Sequence, residues 1–287
     1  MLWPGPGGAD TPPVRSLYER SAETLDRARN GDAFGPTPGA EPEPEPTALA
    51  AIALDDDAAR RWLTDAQRPD GSFGLTAGPV ENDAPTGLAA LALPPGDERE
   101  RALDHLVATP ARTLPPDPVV PHDPNVPGWG WALGTAGWVE PTSRALLAFR
   151  RLRPGATTQI DGAVGFLADR ECVGGGWNFG NRSVYYVDLP PFGQTTAAGL
   201  IGLHALESGY GLVLGGVDAL RRLWPVERGP LTLAMSLAAF RLLGLSDADE
   251  VEAALERTLD GPAPDVIALA WIALASGPGL SELAVPP

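Results

Sequence analysis

The sequence predicts an all-α fold: a single (α/α)6 toroid in which six helical hairpins form an inner and an outer layer. Two observations predict it. A Thr or Asp opens an Ala/Leu-rich run six times, at Thr47, Thr86, Thr142, Thr196, Thr232 and Asp265. These runs are apolar nearly all round, which is the pattern of a buried helix. Between them lie amphipathic segments at 14–29, 56–67, 97–108, 159–170, 215–223 and 249–259. Strict alternation of buried and half-buried helices fits a closed two-layer ring better than an open solenoid, which has no strictly buried set.

Each helix has a local reason. A Thr or Asp side-chain oxygen before an apolar run is an N-cap signal, because it accepts an orphan N–H of the first turn. Acidic residues at Asp97, Glu98 and Glu100, and at Asp249 and Glu250, load outer-helix starts with the charge that complements the macrodipole. The extra chain length falls in three loops, 69–84, 109–140 and 171–194, each leading from an outer helix into an inner one. All three are expected at one end of the ring. Loops of this length carry function or are disordered. Their aromatic content, Trp129, Trp131, Trp138, Trp177, Phe179, Tyr185, Tyr186 and Phe192, argues for order. Residues 1–13 are read as a flexible N-terminus, 14–275 as the toroid and 276–287 as a tail. The run Glu41-Pro42-Glu43-Pro44-Glu45-Pro46 gives an acidic, polyproline-like connector at 35–46.

Composition narrows the function. The 287 residues carry a net charge of −16, and every one of the 21 basic residues is Arg. That balance argues against nucleic acid or an anionic membrane as partner. Without Lys there is no Schiff-base or P-loop lysine. One cysteine, Cys172, makes neither an intrachain disulfide nor a multi-thiolate zinc site. No signal peptide and no transmembrane stretch is read, so a cytoplasmic protein is expected. No metal site is predicted, and the residues specify no cofactor.

The segment from Trp62 through Gln67, Gly71 and Phe73 has the spacing aromatic-x4-Gln-x3-Gly-x-aromatic, and Phe166, Glu171, Gly175 and Trp177 repeat it with Glu for Gln. This resembles the Q-W repeat of the squalene cyclase and protein prenyltransferase β-subunit superfamily, the terpenoid cyclase fold. The runs around Gly128-Trp129-Gly130-Trp131 and Gly176-Trp177-Asn178-Phe179 are similar to small bacterial repeat proteins of that class. The resemblance implies a toroid over most of 14–275 and structural, not catalytic, roles for Gln67, Phe73 and Trp177. It also implies that the Gln caps carbonyls at an outer-helix C-terminus.

The catalytic signatures of those families depart here. Protonating cyclases carry an Asp-x-Asp-Asp run; Asp55-Asp56-Asp57 lacks its first Asp and reads better as an N-cap cluster. The same cluster is the nearest match to a magnesium-binding run. Asp169, Cys172 and His204 fall outside the zinc spacing of prenyltransferases, and His204 reads as a satisfied core histidine. His122 and Asp123 make a poor metal site without further ligands.

The best-placed polar groups lie in the long loops. Glu140, beside Trp138, and Asp83 are the candidate catalytic acids: a carboxyl among tryptophans has its pKa raised by desolvation, and aromatic faces stabilise a carbocation. Trp129, Trp131, Trp138, Trp177, Asn178, Asn181, Tyr185 and Gln194 are the candidate binding residues. Three functions follow. A wide toroid with an aromatic mouth suits an isoprenoid or other apolar molecule. An aromatic rim over a plugged centre suits a non-catalytic binding or interaction module for a peptide, protein or carbohydrate partner. Glu81 or Asp83 facing Glu140 at ~5–9.5 Å would suit glycoside hydrolysis.

Overall fold

The computed structural model describes residues 15–75, 82–113, 115–117, 119–120, 122–123 and 125–286. The N-terminal segment 1–13 and Glu81 lie outside the described residues. Six inner helices follow one another around the ring: α2 (Pro44–Leu54), α4 (Thr86–Ala92), α6 (Val139–Leu152), α8 (Gly193–Leu203), α10 (Pro230–Leu242) and α12 (Val266–Ser276). Each packs on the next, and α12 packs back on α2, so the ring closes. The outer helices are α1 (Leu17–Arg27), α3 (Asp57–Ala66), α5 (Asp97–Ala108), α7 (Thr157–Arg170), α9 (Tyr210–Leu223) and α11 (Asp247–Thr258). From α3 on, each outer helix packs on the inner helix before it. The first, α1, packs mainly on α12 and so joins the two ends of the chain.

Burial follows the composition. Every residue of α4, and all of α12 but Ile267 and Ser276, is buried. The outer helices bury only a stripe, such as Ala59 and Leu63 in α3. Ala and Gly dominate where inner helices meet: a Cβ on Gly87 would come within 3.2 Å of the α6 backbone at Arg144 and Ala145, and one on Gly202 within 3.2 Å of Ser143. Small residues let the six helices approach closely, and close approach narrows the middle of the ring.

The capping chemistry differs from the sequence expectation in an instructive way. Asp265 is a true N-cap, accepting from the Ala268 N–H at 2.8 Å. The threonines are not N-caps. Thr47, Thr142 and Thr196 lie inside their helices, and Thr86 opens α4 without a side-chain cap. Each hydroxyl instead pins a buried aromatic of the incoming loop. It accepts the N–H of Phe34, Phe73, Trp129 or Trp177 at 2.8–3.1 Å and donates back to the same residue's carbonyl. A backbone pair that would be orphaned inside the core is thereby satisfied. The indole N–H groups of Trp129 and Trp177 donate to Leu106 and Leu167 carbonyls in the last turns of α5 and α7. Gln67 works elsewhere than expected. Its amide bridges the Gly71 and Glu98 carbonyls, tying its turn to the opening of α5 rather than capping an outer-helix C-terminus.

Two segments read as flexible or peripheral are built in. The connector at 35–46 is ordered: α2 already starts at Pro44, and Pro44, Glu45 and Pro46 are buried. The missing N–H of Pro costs nothing in a first helical turn, which is why an EPEP run can open a helix. At the other end, Leu283 is buried and the Val285 N–H reaches His204 Nε2 at 3.0 Å, so much of 276–287 docks on the ring.

Candidate functional site

The three long loops meet at the N-terminal end of the inner helices. Asn82 bridges to Ala132, the Val139 N–H donates to the Phe179 carbonyl, and the Tyr185 N–H donates to Val119. Two places result: a hub in the middle of the ring and a rim between the loops.

The hub centres on Arg144 of α6. Its Nη2 donates to Glu45 Oε1 at 2.5 Å and Glu140 Oε1 at 2.6 Å, and its guanidinium lies 5.4 Å from the Trp131 ring centre. Gln194 also hydrogen-bonds Glu140. Charge comes from α2 and α6, the inner helices on either side of α4. Burial pushes the Glu140 carboxyl above its ordinary value despite Arg144, and the neighbouring Glu45 adds to the rise. The two carboxylates hold Arg144 firmly protonated against the burial that would deprotonate it. The Arg144 Nη1 is buried without a partner. Beneath the triad is a cavity of only about 20 Å3, walled by Leu88, Leu147, Ala198, Ile201, Met235 and Trp271. That is room for about one water, against the several hundred Å3 of a usual ligand pocket.

The rim is open. One cleft of about 380 Å3 is lined by Trp138, Phe179, Leu189, Pro190 and Phe192, with Asn178 and Asn181. Phe179 stands between the other two rings, 6.2 Å from Trp138 and 5.2 Å from Phe192. A second cleft of about 490 Å3 shares Ala136, Gly137 and Asn181 with the first and continues past Phe166 to Arg112, His122 and Arg170. Burial, with Arg170 and Arg182 nearby, holds the His122 imidazole below its ordinary pKa.

The structure sorts the sequence candidates among these places. Glu140, Trp131 and Gln194 gather at the hub. Trp138, Asn178 and Asn181 gather at the rim. Asn178 is also a loop brace, accepting from the Gly180 and Asn181 N–H groups. Trp129 and Trp177 are core residues, and Trp177 is fully buried. Asp83 stands apart from Glu140's cavity and pairs with His105 Nε2 at 3.0 Å. Tyr185 and Tyr186 tip a two-residue hairpin between β1 (Ser183–Val184) and β2 (Val187–Asp188). Both have positive φ, 51° and 63°, where such turns favour Asn-Gly, and both are largely exposed.

Sequence reasoning missed Glu45 and Arg144 at the hub and Arg112 and Arg170 at the rim. A signal existed for Arg144, a lone charge inside an apolar run four residues after Glu140. Glu45 was hidden in its acidic Pro repeat. Of the residues weighed and set aside, Asp56 caps α3, accepting from Ala58 and Ala59, and Cys172 is buried. His204 donates from Nδ1 to the Ile201 carbonyl and accepts at Nε2, a satisfied core histidine. Among the described residues no three His, Cys, Asp or Glu side chains are grouped to hold a metal ion. Among the described residues no helix is long and apolar enough to cross a membrane.

This is a terpenoid cyclase-like fold. A type II terpene cyclase, MstE from Scytonema, matches it in complex with the product merosterolic acid A, with TM-score 0.62 and 16% identity over 93% of this chain and 96% of that one. The same cyclase with geranylgeranyl dihydroxybenzoate gives TM-score 0.59 and 15% identity over 94% and 97%. Part of a Salmonella α2-macroglobulin reacted with methylamine also matches, with TM-score 0.51 and 13% identity over 91% of this chain and 17% of that one. No protein-family model matches the sequence, and no curated protein sequence does. A ring shared with an α2-macroglobulin does not by itself carry cyclase chemistry, so function rests on the site.

Proposed function

We propose that this chain binds an isoprenoid-like apolar molecule on the loop rim, and that its hub serves to close the ring. The observation that supports this is the contrast in space. The hub offers about 20 Å3 under an ion triad, while the aromatic cleft of Trp138, Phe179 and Phe192 offers about 380 Å3. Burying an isoprenoid chain against three aromatic rings gains about 25 cal/mol per Å2 of apolar surface. Phe179 packs against both other rings, so little side-chain ordering remains to be done on binding.

The test is thermal stability with squalene and with geranylgeraniol, both uncharged. Near 100 times the dissociation constant, binding stabilises by about 2.7 kcal/mol. The shift is expected in the wild type and absent in Phe179→Ala. A shift that survives Phe179→Ala and disappears in Leu147→Trp, which fills the hub, would move the ligand to the hub and overturn the proposal.

A second function has one observation in its favour: Glu140 is a buried carboxyl with a raised pKa beside an apolar cavity, the chemistry of a proton donor to an alkene. It requires Arg144 to leave the hub. Cyclised products from geranylgeranyl substrates, absent with Glu140→Gln, would establish it.

A further inference from the structure

The rim cleft is continuous with a polar half whose arginine is poorly satisfied. Arg170, on the last turn of α7, is buried at 5% exposure. Its guanidinium lies 4.7 Å from the Phe166 ring centre. Its hydrogen bonds are long and go only to carbonyls, Gly180 at 3.5 Å and Asp123 at 3.3 Å. Its Nε is 3.2 Å from Asp169 Oδ2 but not aligned for a hydrogen bond, and it has no other partner. The same Asp169 Oδ2 also accepts from the Asp123 backbone N–H at 3.1 Å, so its charge is shared between the two. Long bonds to neutral carbonyls leave room for the stronger, charge-assisted bonds that an anionic acceptor would make with this guanidinium. Arg170 lines the 490 Å3 cleft together with the exposed Arg112, and that cleft adjoins the aromatic one at Gly137 and Asn181.

Resting on the proposed apolar site, we propose that the polar half receives the single carboxylate of an amphiphile whose apolar tail lies against Trp138, Phe179 and Phe192. The charge balance favours one negative charge over several. Arg112, Arg170 and Arg182 are the cations around this half, and Asp117, Asp123 and Asp169 are the anions. Three against three is locally neutral, in a chain of −16. A carboxylate takes two N–H groups from a guanidinium in one plane. A diphosphate would bring two or three charges that this neutral surround does not offset.

The experiment is calorimetric titration at pH 7.5, below micelle-forming concentrations, with three ligands of one C20 chain: geranylgeranoic acid, geranylgeraniol and geranylgeranyl diphosphate. The acid is expected to bind at least tenfold tighter than the alcohol, and the diphosphate no tighter than the alcohol. Arg170→Gln is expected to bring the acid to the alcohol's affinity. Arg112→Ala, on an exposed side chain whose loss leaves the fold intact, is expected to remove most of the preference should Arg170→Gln fail to fold. Equal affinity for acid and alcohol overturns the carboxylate assignment and leaves the apolar site standing. Tighter binding of the diphosphate overturns the single-charge assignment. Binding of none of the three overturns both this inference and the proposed function.

Discussion

Hub and rim each hold a buried arginine, and the two are satisfied in opposite ways. Arg144 has two carboxylates within 2.6 Å and an aromatic ring beside it. Arg170 has two carbonyls at 3.3 Å or beyond and one carboxylate, Asp169, 3.2 Å from its Nε without an aligned hydrogen bond. The hub charge therefore works within the protein, linking α2 to α6 past α4 and leaving almost no space beneath. The rim charge is held in place but not used up, beside a cleft large enough for a ligand. Two aligned counter-ions tie Arg144 into the architecture; a single misaligned one leaves Arg170 free to meet a further acceptor.

The largest expected effect tests the hub. Arg144→Met leaves Glu45 and Glu140 buried without their cation and is expected to destabilise by about 3–5 kcal/mol, read by chemical denaturation. Arg170→Gln is expected to cost clearly less, since it removes long hydrogen bonds, one misaligned ion pair and the contact over Phe166, and leaves a single carboxylate that is part-exposed. Equal losses would erase the distinction between the two arginines.

Next come the threonine pins. Thr142→Val keeps the volume and removes the hydroxyl that serves both the N–H and the C=O of Trp129. A loss of about 1–3 kcal/mol is expected, the cost of a buried polar group left unsatisfied. The same change at Thr232, which opens a run without pinning an aromatic, is expected to be nearly neutral. The difference separates a pin from a mere helix position.

A smaller effect sharpens the hub through pH. Glu140 has a native pKa above its ordinary 4.5, so the folded protein holds this proton where the unfolded chain has released it. Stability from this group is therefore greatest below 4.5 and falls as pH rises toward the native value. Glu140→Gln is expected to flatten that part of the stability curve. A variant whose slope matches the wild type would show that Glu140 is not the group responsible.

The smallest expected effect is on the rim. Phe179→Ala removes a ring that is 56% exposed and is expected to change stability by less than about 0.5 kcal/mol. A large loss on denaturation would make the rim part of the core and weaken its assignment as a binding surface.

Much of the fold was legible because it depends on local pattern. Apolar runs such as that of α12, and acidic starts such as that of α5, state the type of each helix and the layer it occupies. The aromatic loops also declared themselves by composition. The site was legible only in part. Trp138, Asn178 and Asn181 were found through their place in the long loops. Trp177 shares that loop yet is sealed in the core, because the turn at Gly174, Gly175 and Gly176, all with φ between 76° and 92°, folds the chain back onto α8 and α9. A Cβ on Gly175 would come within 2.2 Å of the Gly215 carbonyl, so the turn depends on glycine.

By itself, then, the sequence determined the twelve-helix alternation and the end of the ring where the loops gather, since hydrophobic period and loop length are properties of neighbouring residues. Tertiary structure decided the rest. Whether the ring's centre is open or closed depends on how near Ala- and Gly-lined helices approach. The pairing of Glu45 with Arg144 spans 99 residues and exists only once α2 and α6 come together on either side of α4. The cleft beside Arg170 exists only once the loop at 111–126 packs against α7 and Asn181. None of these contacts has a local signal, because each is made between residues that only ring closure brings together.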